Sequence, residues 1–250
     1  MRKTLSSMLL ALLAFASCAA WAAESDTRLL PAPINRLDVE SLQRGARNFV
    51  NYCLTCHSAK YMRYNRLADL DLTDAQITGN LMFATDKIGQ TMTVAMSPAN
   101  GKAWFGNPPP DLSVEARIRG REWLYSYLLG FYRDDKSATG WNNLVFPNVG
   151  MPNVLWELQG QHTARFVEQK DARDEGASVH RFAGFETIAP GKLSEHDFDE
   201  AVADLVAYLQ WMGEPVQHDR VRVGVWVLIF LALFTFIAWR LNAAFWKDVK

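Results

Sequence analysis

The chain has 250 residues, 26 Lys and Arg against 27 Asp and Glu, a formal net charge of −1, and three cysteines. That length suits one domain with a substantial core plus accessory segments. The charge balance points away from nucleic acid, and so few thiols exclude a disulfide framework.

Residues 1–22 read as a secretory signal: Arg2 and Lys3 open it, residues 8–15 are its apolar centre, and Ala20-Trp21-Ala22 is a small-x-small cleavage site. The segment is too short to span a bilayer. A lipoprotein box at Phe15-Ala16-Ser17-Cys18 is the competing reading, for which Phe15 is a poor first residue. Cleavage after residue 22 removes Cys18 and leaves Cys53 and Cys56 as the only thiols. With both basic ends set aside, the exported part, residues 23–219, is acidic on balance. That is either ordinary solubility or attraction for a basic partner.

Residues 24–37, with Pro31 and Pro33, read as an extended arm. Asp38 is a predicted N-cap for a helix over residues 39–52, with Leu42, Ala46, Phe49 and Val50 on one face. The helix leads into Cys53-Leu54-Thr55-Cys56-His57. Two thiols three positions apart followed at once by an imidazole form the attachment pattern of c-type haem. The thiols add to the two vinyl groups, and His57 reaches the iron from the same turn of backbone. Half a zinc site or a redox dithiol is the alternative, and zinc wants a second ligand pair that the remaining cysteines do not supply.

In residues 58–100, Tyr61, Tyr64, Leu67 and Leu70 fit a short helix. Met82, Met92 and Met96 are gap-filling core by default. Met96, before Ser97-Pro98, is the best placed of them to act as a loop ligand. The run Pro108-Pro109-Pro110 is stiff and extended, suited to covering a haem edge with Pro109 at its centre. Arg117, Arg119 and Arg121 follow; one of them can pair bidentately with a haem propionate, or all can be solvated.

Residues 122–130 read as an aromatic-rich helix and residues 133–150 as a polar loop. Met151, between Gly150 and Pro152, sits on a stiff non-helical segment able to present its thioether to a metal; a buried packing role is the alternative. Residues 165–169 and 179–188 alternate weakly, as a surface β-hairpin turning at residues 171–176 would. Among the later histidines only His180 is kept as an outside candidate for the sixth iron position.

Ser194, with Asp197 three residues on, opens the last soluble helix. Phe198, Val202, Leu205, Leu209 and Met212 mark its buried face, and Gly213 and Pro215 end it. Residues 223–239 carry no charge, and the apolar stretch continues past Arg240 to Phe245, long enough to cross a bilayer. Trp226, Trp239 and Trp246 suit the interfaces, and Lys247 and Lys250 place the C-terminus in the cytoplasm.

Taken together the pieces resemble cytochrome c1, the haem subunit of the quinol–cytochrome c oxidoreductase, in its bacterial form. The resemblance rests on Arg44-Gly45 before the C-L-T-C-H run, P-P-D-L-S at 109–113, the R-x-R pair at 117 and 119, M-P-x-x-L at 151–155, and one C-terminal anchor ending F-W-K-D-V-K. It implies a single haem c bound covalently through Cys53 and Cys56, with His57 and Met151 as axial ligands. It also implies a propionate on Arg117 or Arg119; the family's usual glycine pair beside them is reduced to Gly120.

The expected fold is mainly α: a c-type cytochrome fold with long loop insertions and a small β-hairpin, plus one C-terminal transmembrane helix. The expected domains are a signal peptide (1–22), a periplasmic c-type haem domain (23–219), a transmembrane anchor (220–246) and a cytoplasmic tail (247–250), in the inner membrane. The resemblance implies electrons entering from a Rieske iron–sulfur protein and leaving to a c-type cytochrome, in a complex with cytochrome b. No nucleophile or general base is needed, and the chain is not an enzyme on its own. A free-standing, membrane-tethered c-type carrier and a haem catalyst with an open sixth site are the two rivals.

Overall fold

The computed structural model describes residues 29–170 and 178–248. The expected signal peptide and the hairpin turn at 171–176 lie outside the described residues.

The first described helix, α1 (Val39–Asn48), starts where its sequence demands: Asp38 is its N-cap, accepting from the Ser41 N–H at 3.1 Å. It does not run evenly to residue 52. It widens into one π-helical turn, Phe49–Cys53, which delivers Cys53 to the site. A two-stranded antiparallel pair, β1 (Ala59–Arg63) with β2 (Thr91–Met92), encloses the next segment. Between them, Tyr64–Leu70 forms a 3₁₀ turn and Asp74–Asn80 forms α2. In a three-residue-per-turn helix, residues 64, 67 and 70 fall on one line, and all three are buried. Tyr61, predicted to share that helix, sits instead on β1 with its side chain 83% exposed.

Then come α3 (Pro98–Phe105), α4 (Glu115–Arg119) and α5 (Arg121–Leu129). A short pair follows, β3 (Phe131–Arg133) at the edge of the predicted loop 133–150 with β4 (Trp141–Asn143) inside it. The turn α6 (Trp156–Gln159) leads into the predicted hairpin, β5 (Gly160–Lys170) with β6 (Ser178–Pro190), longer than its alternation suggested. Helix α7 (Glu195–Gly213) opens on Ser194, which accepts from the Asp197 N–H at 3.2 Å and ends before Pro215.

The core is centred on the crossing of α1 with α7. Gly45 makes that crossing possible: a Cβ there would lie 2.1 Å from the Asp204 carbonyl oxygen and 2.7 Å from Tyr208 Cβ. Phe49 and Tyr208, both fully buried, pack with ring centroids 5.5 Å apart beside it. Arg44 grips Asp204 bidentately, at 2.6 and 3.0 Å. Asn48 Nδ2 donates to the Ala201 carbonyl at 3.3 Å.

Helix α8 (Gln217–Phe245) is long and apolar enough to cross a membrane, and none of its residues is buried among the described residues. Its 29 residues reach about 44 Å at 1.5 Å each, which exceeds a hydrocarbon core of about 30 Å. The architecture is a mainly helical c-type cytochrome fold with small sheets and one C-terminal transmembrane helix.

Candidate haem site

The π turn and the tight turn after it set the geometry of the motif. The Leu54 N–H donates to the Phe49 carbonyl at 2.9 Å, and the Cys56 and His57 N–H groups both turn back to the Cys53 carbonyl, at 3.1 and 2.9 Å. Both sulfurs and the imidazole therefore face one side, and Cys53, Cys56 and His57 line one cavity of about 370 Å³. Pro109, Arg119 and Met151 line the same cavity. Arg117 does not: its stem lies against Gly213, and its guanidinium is 3.5 Å from Glu214, which also accepts from Arg220.

The proline run holds the imidazole as well as walling the cavity. His57 Nδ1 is 2.7 Å from the Pro110 carbonyl oxygen. A carbonyl only accepts, so Nδ1 carries the proton and the Nε2 lone pair is left free for a metal. Burial lowers the His57 pKa, against the opposing pull of the Pro110 carbonyl, Glu115 and Asp111, so the ring is neutral. The segment around Pro110 is zipped to the strand after His57. The Leu112 N–H donates to the Ser58 carbonyl at 2.8 Å, Asp111 accepts from the Lys60 N–H at 3.0 Å, and the Ser113 hydroxyl accepts from the Tyr61 N–H at 3.1 Å.

Helix α3 joins this wall to the Met151 loop. Gly101 lets the proline run approach, since a Cβ there would lie 2.8 Å from Pro109 Cδ. A Cβ on Gly150 would lie 2.7 Å from the Phe105 carbonyl oxygen. The loop carrying Met151 is stapled by buried amides. Asn142 Oδ1 accepts from the Asn148 N–H at 2.8 Å. Asn143 Oδ1 accepts from the Val145 and Phe146 N–H groups, at 2.9 and 3.1 Å. Beyond Met151, Asn153 Oδ1 accepts from the Leu155 N–H at 3.0 Å, and its Nδ2 donates to Gln159 Oε1 at 2.7 Å. Tyr127 on α5 lines the cavity and puts its hydroxyl 3.3 Å from Met151 Sδ. Burial pushes that hydroxyl above the ordinary phenol range, against the opposing Arg119 charge, so it is a neutral donor.

Met96 packs beside Gly101 behind the proline run and does not line the cavity. Met92 and Met82 are buried core. The backbone of His180 pairs with Glu168 in the hairpin, and its side chain lies outside the described residues.

The alternatives for the thiol pair fare poorly. A redox dithiol depends on a depressed thiol pKa, whereas burial, then the neighbouring Cys56, pushes Cys53 up to about 12, and burial pushes Cys56 up as well. Among the described residues no group of three or more His, Cys, Asp or Glu is placed to hold a metal ion as zinc requires. A covalent haem fits the donor set: two thiols, one imidazole with its outer nitrogen free, and one thioether, around an apolar cavity.

Several contributors were not marked by the sequence. In sequence the proline run reads only as a stiffener, yet the Pro110 carbonyl also orients His57. Tyr127 reads in sequence only as one aromatic of the 122–130 helix, and Asn142, Asn143, Asn153 and Gln159 carry no signal beyond the general use of Asn in turns.

Fold and site together define a membrane-anchored c-type cytochrome. The family model described as the cytochrome C1 family matches residues 30–93 and 192–249. The chain is 42% identical over 219 residues to a cytochrome c1 of Allochromatium vinosum, covering 87% of this chain and 88% of that one. It is 40% identical over 247 residues, 97% of each chain, to a Nitrosomonas europaea protein named ammonia monooxygenase gamma subunit. A cytochrome c1 of Rhodospirillum rubrum is 29% identical over 241 residues, 86% of this chain and 84% of that one. The chain belongs to the cytochrome c1 family, and with it to the membrane-anchored, haem-bearing electron carriers of respiration.

Proposed function

We propose that this chain is the haem c subunit of a quinol–cytochrome c oxidoreductase, receiving electrons from a Rieske iron–sulfur protein and passing them to a c-type cytochrome. The observation that carries the reading is the convergence of Cys53, Cys56, His57 and Met151 on one apolar cavity, with the imidazole oriented by Pro110. Cys53 and Cys56 would hold the group covalently, His57 Nε2 and Met151 Sδ would ligate its iron, and Arg119, not Arg117, would pair with a propionate. When bound, haem c supplies a one-electron iron couple.

The protein's own part is to keep that couple low in reorganisation. The Pro110 carbonyl fixes the imidazole, the stapled loop fixes the thioether, and Pro109 with the aromatic wall excludes water. A neutral imidazole and a neutral thioether would add no charge of their own to the iron. Residues 1–22 are removed on export, the haem domain faces the periplasm, cytochrome b is the neighbour in the membrane, and the tail after α8 is cytoplasmic.

Purification of the tagged chain in mild detergent tests the assignment. Co-purification of a b-type cytochrome and an iron–sulfur protein is expected, and isolation alone overturns it in favour of a free-standing carrier. The Nitrosomonas europaea relative motivates a second reading, an electron-delivering subunit of an oxygenase complex. Co-purification with an oxygenase in place of a b-type cytochrome decides for it.

A further inference from the structure

The Tyr127 hydroxyl sits 3.3 Å from Met151 Sδ, and further contacts hold both partners in place. The Tyr127 ring stacks on Trp123, with centroids 4.9 Å apart and planes 9° apart, and meets Phe131 edge-on at 5.1 Å. Its carbonyl accepts from Asn143 Nδ2 at 2.7 Å, and the Leu129 carbonyl accepts from Gln159 Nε2 at 3.1 Å. Asn143 lies on one side of Met151 in the chain, and Asn153, bonded to Gln159, on the other. The loop presenting the sulfur is thus tied on both flanks to the helix presenting the hydroxyl.

A thioether sulfur has two lone pairs. A metal takes one, and the other accepts from Tyr127. We propose that Tyr127 is a positioning residue that holds Met151 Sδ and raises the reduction potential of the bound haem by withdrawing electron density from that sulfur. The inference rests on Met151 as an axial ligand. A sulfur that already accepts a hydrogen bond donates less to iron, ferric iron depends on that donation more than ferrous iron does, and the reduced state gains.

Tyr127→Phe keeps the ring and its stacking and removes only the donor. In the haem-loaded full-length protein, the one-electron equilibrium is expected to move about threefold to tenfold toward the oxidised state. At 59 mV per decade that is a fall of about 30–60 mV. The sulfur-to-iron charge-transfer band of the ferric protein is expected to shift with it. Tyr125→Phe, buried on the same helix but away from the cavity, is expected to change neither.

A Tyr127→Phe potential that stays put or rises overturns the proposal. If that variant does not load haem, 3-fluorotyrosine placed at 127, a stronger donor of nearly the same shape, is expected to raise the potential; no rise overturns the proposal equally. Absence of the band in the unaltered protein removes Met151 as a ligand and the inference with it. A band present there but unmoved in Tyr127→Phe sinks the role of Tyr127 alone.

Discussion

Two glycine substitutions separate packing from propensity. A methyl group on Gly45 would stand 2.1 Å from the Asp204 carbonyl oxygen, at least 0.9 Å inside the 3.0 Å that Cβ contacts respect, with Tyr208 Cβ at 2.7 Å. The first obstacle is backbone, so α1 and α7 must separate at their crossing. An opening of 0.5–1 Å forfeits a quarter to a half of each dispersion contact across it. Overpacking of this kind costs about 3 kcal/mol, the upper end of its usual range. Replacing a helical glycine by alanine returns about 1 kcal/mol, so the net loss is about 2 kcal/mol. For a chain of this size that lowers Tm by roughly 4–8 °C. Gly79, on α2, has nothing within 4 Å of a built Cβ, and Gly79→Ala is expected to raise stability by about 0.5–1 kcal/mol. Thermal unfolding of the haem-loaded protein, followed by circular dichroism, reads both. A Gly45→Ala protein that melts with or above the parent refutes the idea that the α1–α7 crossing depends on a missing side chain.

Asn143→Ala removes bonds to the Tyr127 carbonyl and the Val145 and Phe146 N–H groups from a side chain only 1% exposed; a loss of about 2–4 kcal/mol is expected in thermal unfolding. Asp111 is pushed up by burial but pulled below its usual value of 3.8 by the Ser113 hydroxyl, the Lys60 and Ser113 N–H groups and the Lys60 charge. A depressed carboxyl pKa stabilises above the unfolded value, and that stability is lost as pH falls through the folded one. Asp111→Asn is therefore expected to flatten the parent's loss of stability in acid, with unfolding midpoints measured from pH 6 to about pH 3 as the check. Arg119→Gln is expected to lower the haem potential, since a positive charge favouring the reduced state is lost, by less than about tenfold in the equilibrium, or 59 mV. Arg117→Gln is expected to leave the potential alone; equal shifts in redox titration would contradict the placement of the two side chains.

The residues that line the cavity from the thiol motif, the methionine loop and the proline run were legible because they are local patterns. C-x-x-C-H, a methionine between Gly and Pro, and a proline run each declare themselves within a few positions. Helices α1, α7 and α8 were legible from spacing and caps. The two arginines were not separable in sequence. At 100° per residue, positions 117 and 119 of one helix point about 200° apart, so one reaches the cavity and the other turns to Glu214. The 3₁₀ turn shows the same limit: residues 64, 67 and 70 fit a helix of either pitch, and only the structure places Tyr61 on β1. Strands β3 and β4 were hidden because three-residue elements as polar as Trp141–Asn143 carry no periodicity. The ties from Asn143 and Gln159 to α5 were hidden because their partners lie 16 and 30 residues away.

The account depends on iron held between His57 and Met151. The most direct measurement is the near-infrared spectrum of the ferric protein, taken for the parent, Met151→Leu and Met96→Leu. The account predicts a sulfur-to-iron charge-transfer band in the parent and in Met96→Leu, and its loss in Met151→Leu together with a lower reduction potential. A band that survives Met151→Leu, or disappears in Met96→Leu instead, contradicts it.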